Sequence, residues 1–283
     1  MRRSSLVLLL AAVACNVPPR ARPNWQTFTA TRELQNEHQM TIDVQYGAGH
    51  FQLAQGERGE LYRMRMQYDA NAFTPLRQYD ATTQTLRLGV ESRRGAHISG
   101  ASGDRKPSFD LALSPGLPLA LNLEMGAVEA DVDLGGLAVR RATFQTGASD
   151  SRLRFSAPNT ADCEELTIEA GAARLSAEQL ANSNCTRVGV HGGVGDLTLD
   201  FGGAWKRSMT ADINVGVGSL HLRLPRDVGV SVHLNRFLAS FDATGFQKRA
   251  DSYVSSNFDA ARTRLVMNVN ASIGGVNTEW IGN

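Results

Sequence analysis

The stretch that decides the fold lies between Val188 and Leu224, where VGVHGGVGDLTLDF (188–201) is followed nine residues later by ADINVGVGSLHLRL (211–224). In each copy apolar residues alternate on both sides of a glycine: Val188/Val190 and Leu197/Leu199 around Gly193, then Ala211/Ile213 and Leu220/Leu222 around Gly216. Alternation with period two marks a strand with one buried face. Counting from the glycine, the apolar positions before it are odd and those after it are even, so the buried parity flips at the bend. A corner or bulge does this, and glycine accommodates it best.

Outward from this pair the unit recurs. LNLEMGAVEADVDL centres on Gly126, FQTGASDSRLRF on Ser149, LTIEAGAARLSA on Gly171 and VHLNRFLASFDA on Phe237, so successive bends are 23, 22, 22, 23 and 21 residues apart. Two further copies stand outside the run, IDVQYGAGHFQL around Gly47 and MNVNASIGGVNTEW around Gly274. A regular period of about 22 residues with two strands per unit suits an all-β, right-handed β-solenoid, because one coil buries its apolar face only when neighbours stack on it. An antiparallel sandwich of short strands would show the same alternation. The constancy of the interval favours stacking.

Cys163 and Cys185 each lie eight residues before a bend glycine, Gly171 and Gly193. Stacked coils would set them in register about 4.8 Å apart, a separation a disulfide accepts, whereas unstacked chains would leave two free thiols. The bridge would close a 22-residue loop and contribute about 3 kcal/mol in the chain-entropy model.

The 283 residues are 42% hydrophobic and 20% charged with a net charge of +1, an ordinary globular composition. The lack of a basic excess argues against a nucleic-acid partner. Residues 1–14 (MRRSSLVLLLAAVA) have two arginines and an apolar run too short for a bilayer of about 30 Å, and read as a signal peptide. Ala12-Val13-Ala14-Cys15 resembles a bacterial lipobox, which implies lipidation of Cys15 and an extracytoplasmic, membrane-anchored location. Simple secretion, with Cys15 in or near the removed segment, is the alternative. Residues 15–29 form the anchor and a proline-bearing tether, residues 30–110 an N-terminal β region, and residues 111–283 the repeat domain with an insertion at 245–259.

GVGDLTLDF, VGVGSLHLRLPRDVGVSVHL and DATGFQKRADSYVSSNFDAARTRLVMNVNASIGGVNTEW resemble the C-terminal part of toast-rack-type bacterial envelope proteins, a group that includes adhesin-type and LiaF-type cell-wall stress proteins. The resemblance implies a one-sided stack of β-coils in the cell envelope and no known catalytic residue.

No nucleophile elbow, phosphate loop or metal-spaced histidine pair occurs, and neither a catalytic residue, a metal nor a cofactor is expected. Aligned on the bends, one exposed column reads Glu129, Arg152, Arg174 and Asp196, and the next begins with Asp131. Opposite charges on neighbouring coils read as a solvated ladder. The function expected is non-enzymatic binding, adhesion or scaffolding toward an envelope protein or polysaccharide. A carbohydrate-active enzyme on a β-solenoid is the competing expectation.

Overall fold

Strand Pro118–Asp133 would extend about 53 Å if straight, yet the four residues joining it to strand Ala138–Arg154 reach at most about 18 Å. These two strands pair in parallel. They can do so only if each folds back near its midpoint, so that every strand is a two-armed coil and its arms enclose the core.

The computed structural model describes residues 22–93 and 106–282. The signal segment, Cys15 and the first part of the tether lie outside the described residues. In chain order the strands are β1 (Trp25–Glu33), β2 (Met40–Gln55), β3 (Glu60–Asp69), β4 (Phe73–Asp80), β5 (Thr85–Ser92), β6 (Ser108–Leu113), β7 (Pro118–Asp133) and β8 (Ala138–Arg154). Then come β9 (Cys163–Glu178), β10 (Cys185–Asp200), β11 (Met209–Pro225), β12 (Gly229–Phe241), β13 (Phe246–Arg249), β14 (Ser252–Ser255) and β15 (Arg264–Ile281). All belong to one open sheet, whose long parallel run is β2-β7-β8-β9-β10-β11-β15-β12. The chain is thus all-β, an open stack of two-armed β-coils.

The parity flip is visible in burial. In β9, Leu166, Ile168 and Ala170 are buried before the bend and Ala173, Leu175 and Ala177 after it, with Gly171-Ala172 exposed between. Along the stack these positions form aliphatic columns, and aromatic clusters close both ends. Tyr46, Phe51 and Phe109 pack edge to tilted at 5.4–6.2 Å at one end, and Phe241/Tyr253 and Phe246/Trp280 at 4.8 and 4.9 Å at the other.

Two bends differ from the sequence reading. Thr146 and Ala148 of β8 pair with Ala170 and Ala172, so the residue level with Gly171 is Gly147 and not Ser149. In β15, Gly274 pairs with Gly218, and Ser272 is the residue level with Gly216. Gly47, Gly126, Gly171, Gly193 and Gly216 share one column, as expected. The column is crowded: a β-carbon at Gly171, Gly193 or Gly216 would stand 2.5–2.7 Å from the carbonyl oxygen of the preceding bend glycine.

The spatial order also departs from chain order. β12 does not stack on β11. The final strand, β15, lies between them and pairs with both. Residues 245–259 supply the β13–β14 hairpin, which extends the sheet beyond the first arm of β12. At the opposite end the first coil, β2, is continued on one arm by β5 and β4 and on the other by β6, β3 and β1. Glu37 ties these two sets of strands together. Its carboxylate accepts from Arg32 of β1 (2.7 Å), Tyr79 of β4 (3.0 Å) and the Gln35 amide (2.7 Å). Burial alone would raise this carboxyl's pKa, but these hydrogen bonds and the Arg32 charge hold it below the ordinary value.

Cys163 and Cys185 pair in register, with Cα atoms 4.1 Å apart, and form a disulfide. Such a bridge suits an oxidising compartment. The connectors preceding β9 and β10 are braced by asparagine. Asn159, 1% exposed, accepts from the Val139 amide (2.9 Å) and donates to the carbonyls of Val139 (2.7 Å) and Ser183 (2.8 Å). Asn182 repeats the device one coil on, donating to Phe155 and accepting from Ala204.

Candidate functional site

In a stack of in-register coils, each outward-facing position of the repeat becomes a column of side chains about 4.8 Å apart. On the first arms the column two residues before the bend is almost entirely amide, carboxylate and imidazole. Gln45 donates to Glu124 (3.3 Å), Gln145 to Glu169 (3.0 Å) and Asn270 to Asn214 (2.8 Å), and Asn214 lies 3.3 Å from His191. These contacts link the groups pairwise between neighbouring coils.

On the second arms the expected charge ladder is present with a changed membership. Because the β8 bend is at Gly147, the column reads Glu129, Asp150, Arg174, Asp196 and Ser219. Arg152 stands two residues further on, between Asp131 and Ser176. The expected neighbours Arg174/Asp196 are therefore retained in register, whereas Glu129/Arg152 is replaced by Glu129/Asp150. Glu129 contacts Lys106 (3.3 Å) and His50 (3.8 Å), Arg174 contacts Asp150 (3.7 Å), and Arg152 contacts Glu178 (3.2 Å). All these groups are substantially exposed, so each pair adds little stability. Asp131, Asp150, Asp196, Thr198 and His221 line a groove of about 550 Å³ with Arg152 and Arg174. No group of three or more histidine, cysteine or carboxylate side chains among the described residues is arranged to hold a metal.

The more enclosing feature lies beside the bends at the N-terminal end of the stack. There a cleft of about 590 Å³ has a floor of Ala48, Ala127 and Ala148 and walls that include Pro23, Trp25, Phe73 and Pro107. Lys106, Glu129, Asp150 and Arg174 form a mixed-charge rim. Trp25 of β1 and Phe73 of β4 are far apart in the chain and come together because their strands extend the two arms of the same first coil. Two hydroxyls at the cleft are unsatisfied. Ser149 lines it, and its Oγ has no hydrogen-bond partner among the described residues. Tyr46, 3% exposed, sits against Gly49 of the lining: a β-carbon there would be 2.7 Å from the phenol oxygen, which also has no partner. Burial, and after it the Asp110 charge, pushes the Tyr46 phenol above its ordinary range.

Periodicity could not have assembled this cleft, since β1 and β4 lie outside the repeat. A second feature was detectable. The position just after each bend reads Ala127, Ala148, Ala172, Val194, Val217 and Ile273, apolar where the flipped phase exposes it. Val194, Val217 and Ile273 are 58%, 43% and 47% exposed.

No helix among the described residues is long and apolar enough to cross a membrane. No curated protein matches the chain. Among solved structures it is similar to a candidate cell adhesion protein from Clostridium sporogenes, 17% identical, covering 91% of this chain and 100% of that one with a TM-score of 0.48. It is also similar to a candidate adhesin from Bacteroides fragilis, 13% identical, covering 91% and 99% with a TM-score of 0.42. The family model described as the N-terminal domain of toast_rack, DUF2154, matches residues 22–178 and again 163–223. With more than half its length matched and the stack of bent strands that the name describes, the chain belongs to the toast_rack N-terminal domain family.

Proposed function

We propose that this is a lipid-anchored, extracytoplasmic envelope protein that acts by binding another envelope component, with the cleft beside the bends as its binding site. The observation that carries the reading is the combination in that cleft of aromatic walls and a small-residue floor, with the buried, unpartnered hydroxyls of Ser149 and Tyr46 behind the lining. An apolar pocket with a few convergent polar groups is the usual form of a ligand site, and buried polar atoms without partners call for a reason in a folded protein. Trp25 and Phe73 offer stacking surface to a sugar ring or an apolar side chain, and the rim offers both signs of charge.

Mature protein immobilised on a surface and presented with cell-wall polysaccharides and solubilised envelope proteins should retain a ligand. Trp25→Ala should weaken that binding at least about tenfold. Retention unaffected by both Trp25→Ala and Phe73→Ala would remove the cleft from the function. The anchor is tested separately: Cys15→Ser should move the protein from the membrane fraction to the soluble fraction, and continued membrane association would count against lipidation.

A carbohydrate-active enzyme is the second reading, favoured by the convergence of Asp131, Asp150 and Asp196 on one groove. Asp150 and Asp196 are two strands apart, about 9.6 Å between Cα atoms. Arg174, standing between them in the column, contacts Asp150. Turnover of a polysaccharide in the same screen would shift the function to this groove.

A further inference from the structure

Every interior coil of the stack is covered on both sides, so the strands most in need of explanation are those at the edges. A sheet edge presents unpaired N–H and C=O groups and is a template for another strand unless it is blunted. At the N-terminal end the two edge strands are β1 and β4. β1 (WQTFTATRE) is rich in threonine and ends in charged residues, and β4 (FTPLRQYD) carries Pro75, which cannot donate to a ladder. At the other end the β14–β13 hairpin covers the first arm of β12, pairing with Ser231, Val232 and His233 only. Past that point, Asn235–Ser240 pairs with β15 on one side and with no strand on the other among the described residues.

This uncovered segment lacks the threonines and proline of the opposite edges, and its one charge, Arg236, turns back to donate to the Ala239 carbonyl (3.2 Å). It reads Asn-Arg-Phe-Leu-Ala-Ser, with Phe237 80% and Leu238 64% exposed. Leu238 is level with Ile273, which is level with Val217 and then Val194, so the apolar column described above ends at this open edge. Apart from Arg236, its neighbours on the bend are uncharged: Asn235, Asn270 and Asn214 on one side, Ser240 and Gly275 on the other. An apolar centre whose rim holds a single charge among neutral polar residues is close to the composition of a protein interface, apolar at the core and polar at the rim.

We propose that the Asn235–Ser240 edge is where a second copy of this chain pairs, strand to strand and antiparallel about a two-fold axis. The segment is self-complementary in that arrangement. Setting Phe237 against Leu238 of the second copy also sets Asn235 against Ser240 and Arg236 against Ala239. Arg236 is the single charged residue in the segment, so no like charges meet. The contact is isologous, as a two-fold dimer requires, and it covers both large apolar side chains of each copy at once. The pairing completes the free ladder and ends growth, because the two open edges are consumed together.

The test uses the full chain in mild detergent, with mass measured by light scattering across a concentration series. A dimer that dissociates on dilution is expected, and Phe237→Lys/Leu238→Lys should shift the mass to that of a monomer with an unchanged thermal midpoint. A monomer at every concentration, or a dimer unaltered by the lysine pair, overturns the proposal. Should the lysine variant fail to fold, a Phe237→Cys/Leu238→Cys variant decides the matter. Under mild oxidation it should yield a crosslinked product of twice the chain mass. A crosslink only to a chain of another mass, or none, also overturns it.

Discussion

Gly218→Val is expected to be the most damaging single substitution in this chain, costing more than about 4 kcal/mol and preventing assembly of the central coils. Gly218 has φ +139°, a conformation that side-chain-bearing residues rarely adopt, and a β-carbon on it would overlap the carbonyl oxygen of Gly195. The overlap is with backbone, so no rotamer change relieves it. β11 would have to move away from β10 in the middle of the stack. The same relation repeats upward, since a β-carbon on Gly274 would overlap the Gly218 carbonyl oxygen. Urea unfolding followed by circular dichroism measures the effect, with Gly47→Ala as the internal comparison. Gly47 stands at a bend of the first coil with nothing within 4 Å of its added β-carbon, so this change should stay within about 0.5 kcal/mol. Equal midpoints for the two variants would refute the close approach between coils.

Asn159→Ala should be next in size, at about 3–5 kcal/mol. The cost comes from groups left behind and not from the lost side chain. Removing the amide strands the Val139 N–H and the carbonyls of Val139 and Ser183, which the side chain satisfies in a buried connector. Each buried group without a partner costs about 1–3 kcal/mol. Those groups belong to the turns on either side of Asn159's own, so their loss loosens coil-to-coil docking as well as one loop. Asn159→Asp is no rescue, because it would aim a carboxylate at two carbonyl oxygens. Hydrogen exchange at the Val139 amide separates this account from a general loss of stability: protection there should fall first. A penalty below about 1 kcal/mol would mean that water replaces the amide without difficulty.

The alternation around Gly193 and Gly216 was enough to expose the two arms, the parity flip and the stacking, because each is a local consequence of period two. The register of Cys163 with Cys185 followed from it. Both misplaced bends, Ser149 for Gly147 and Gly274 for Ser272, are off by two residues, and so is Arg152 in the charge ladder. A shift of two leaves every side chain on the same face, so hydrophobic pattern is blind to it. What discriminates is how closely neighbouring backbones approach at the bend, and that distance exists only between coils.

The same distinction holds for the candidate sites. The exposed valines and isoleucine after the bends are a local property, readable as apolar residues in the exposed phase. The cleft is not, since Trp25 and Phe73 meet only because β6 with β3 and β5 with β4 carry the two arms of the first coil outward. Nor is the open edge: an interval of 21 residues from Gly216 to Phe237 reads as direct stacking, and the insertion of β15 leaves no mark on it. Periodicity specifies which face of a strand is buried. Which strand lies beside which depends on long-range backbone pairing, whose hydrogen bonds are the same for any sequence of the right parity.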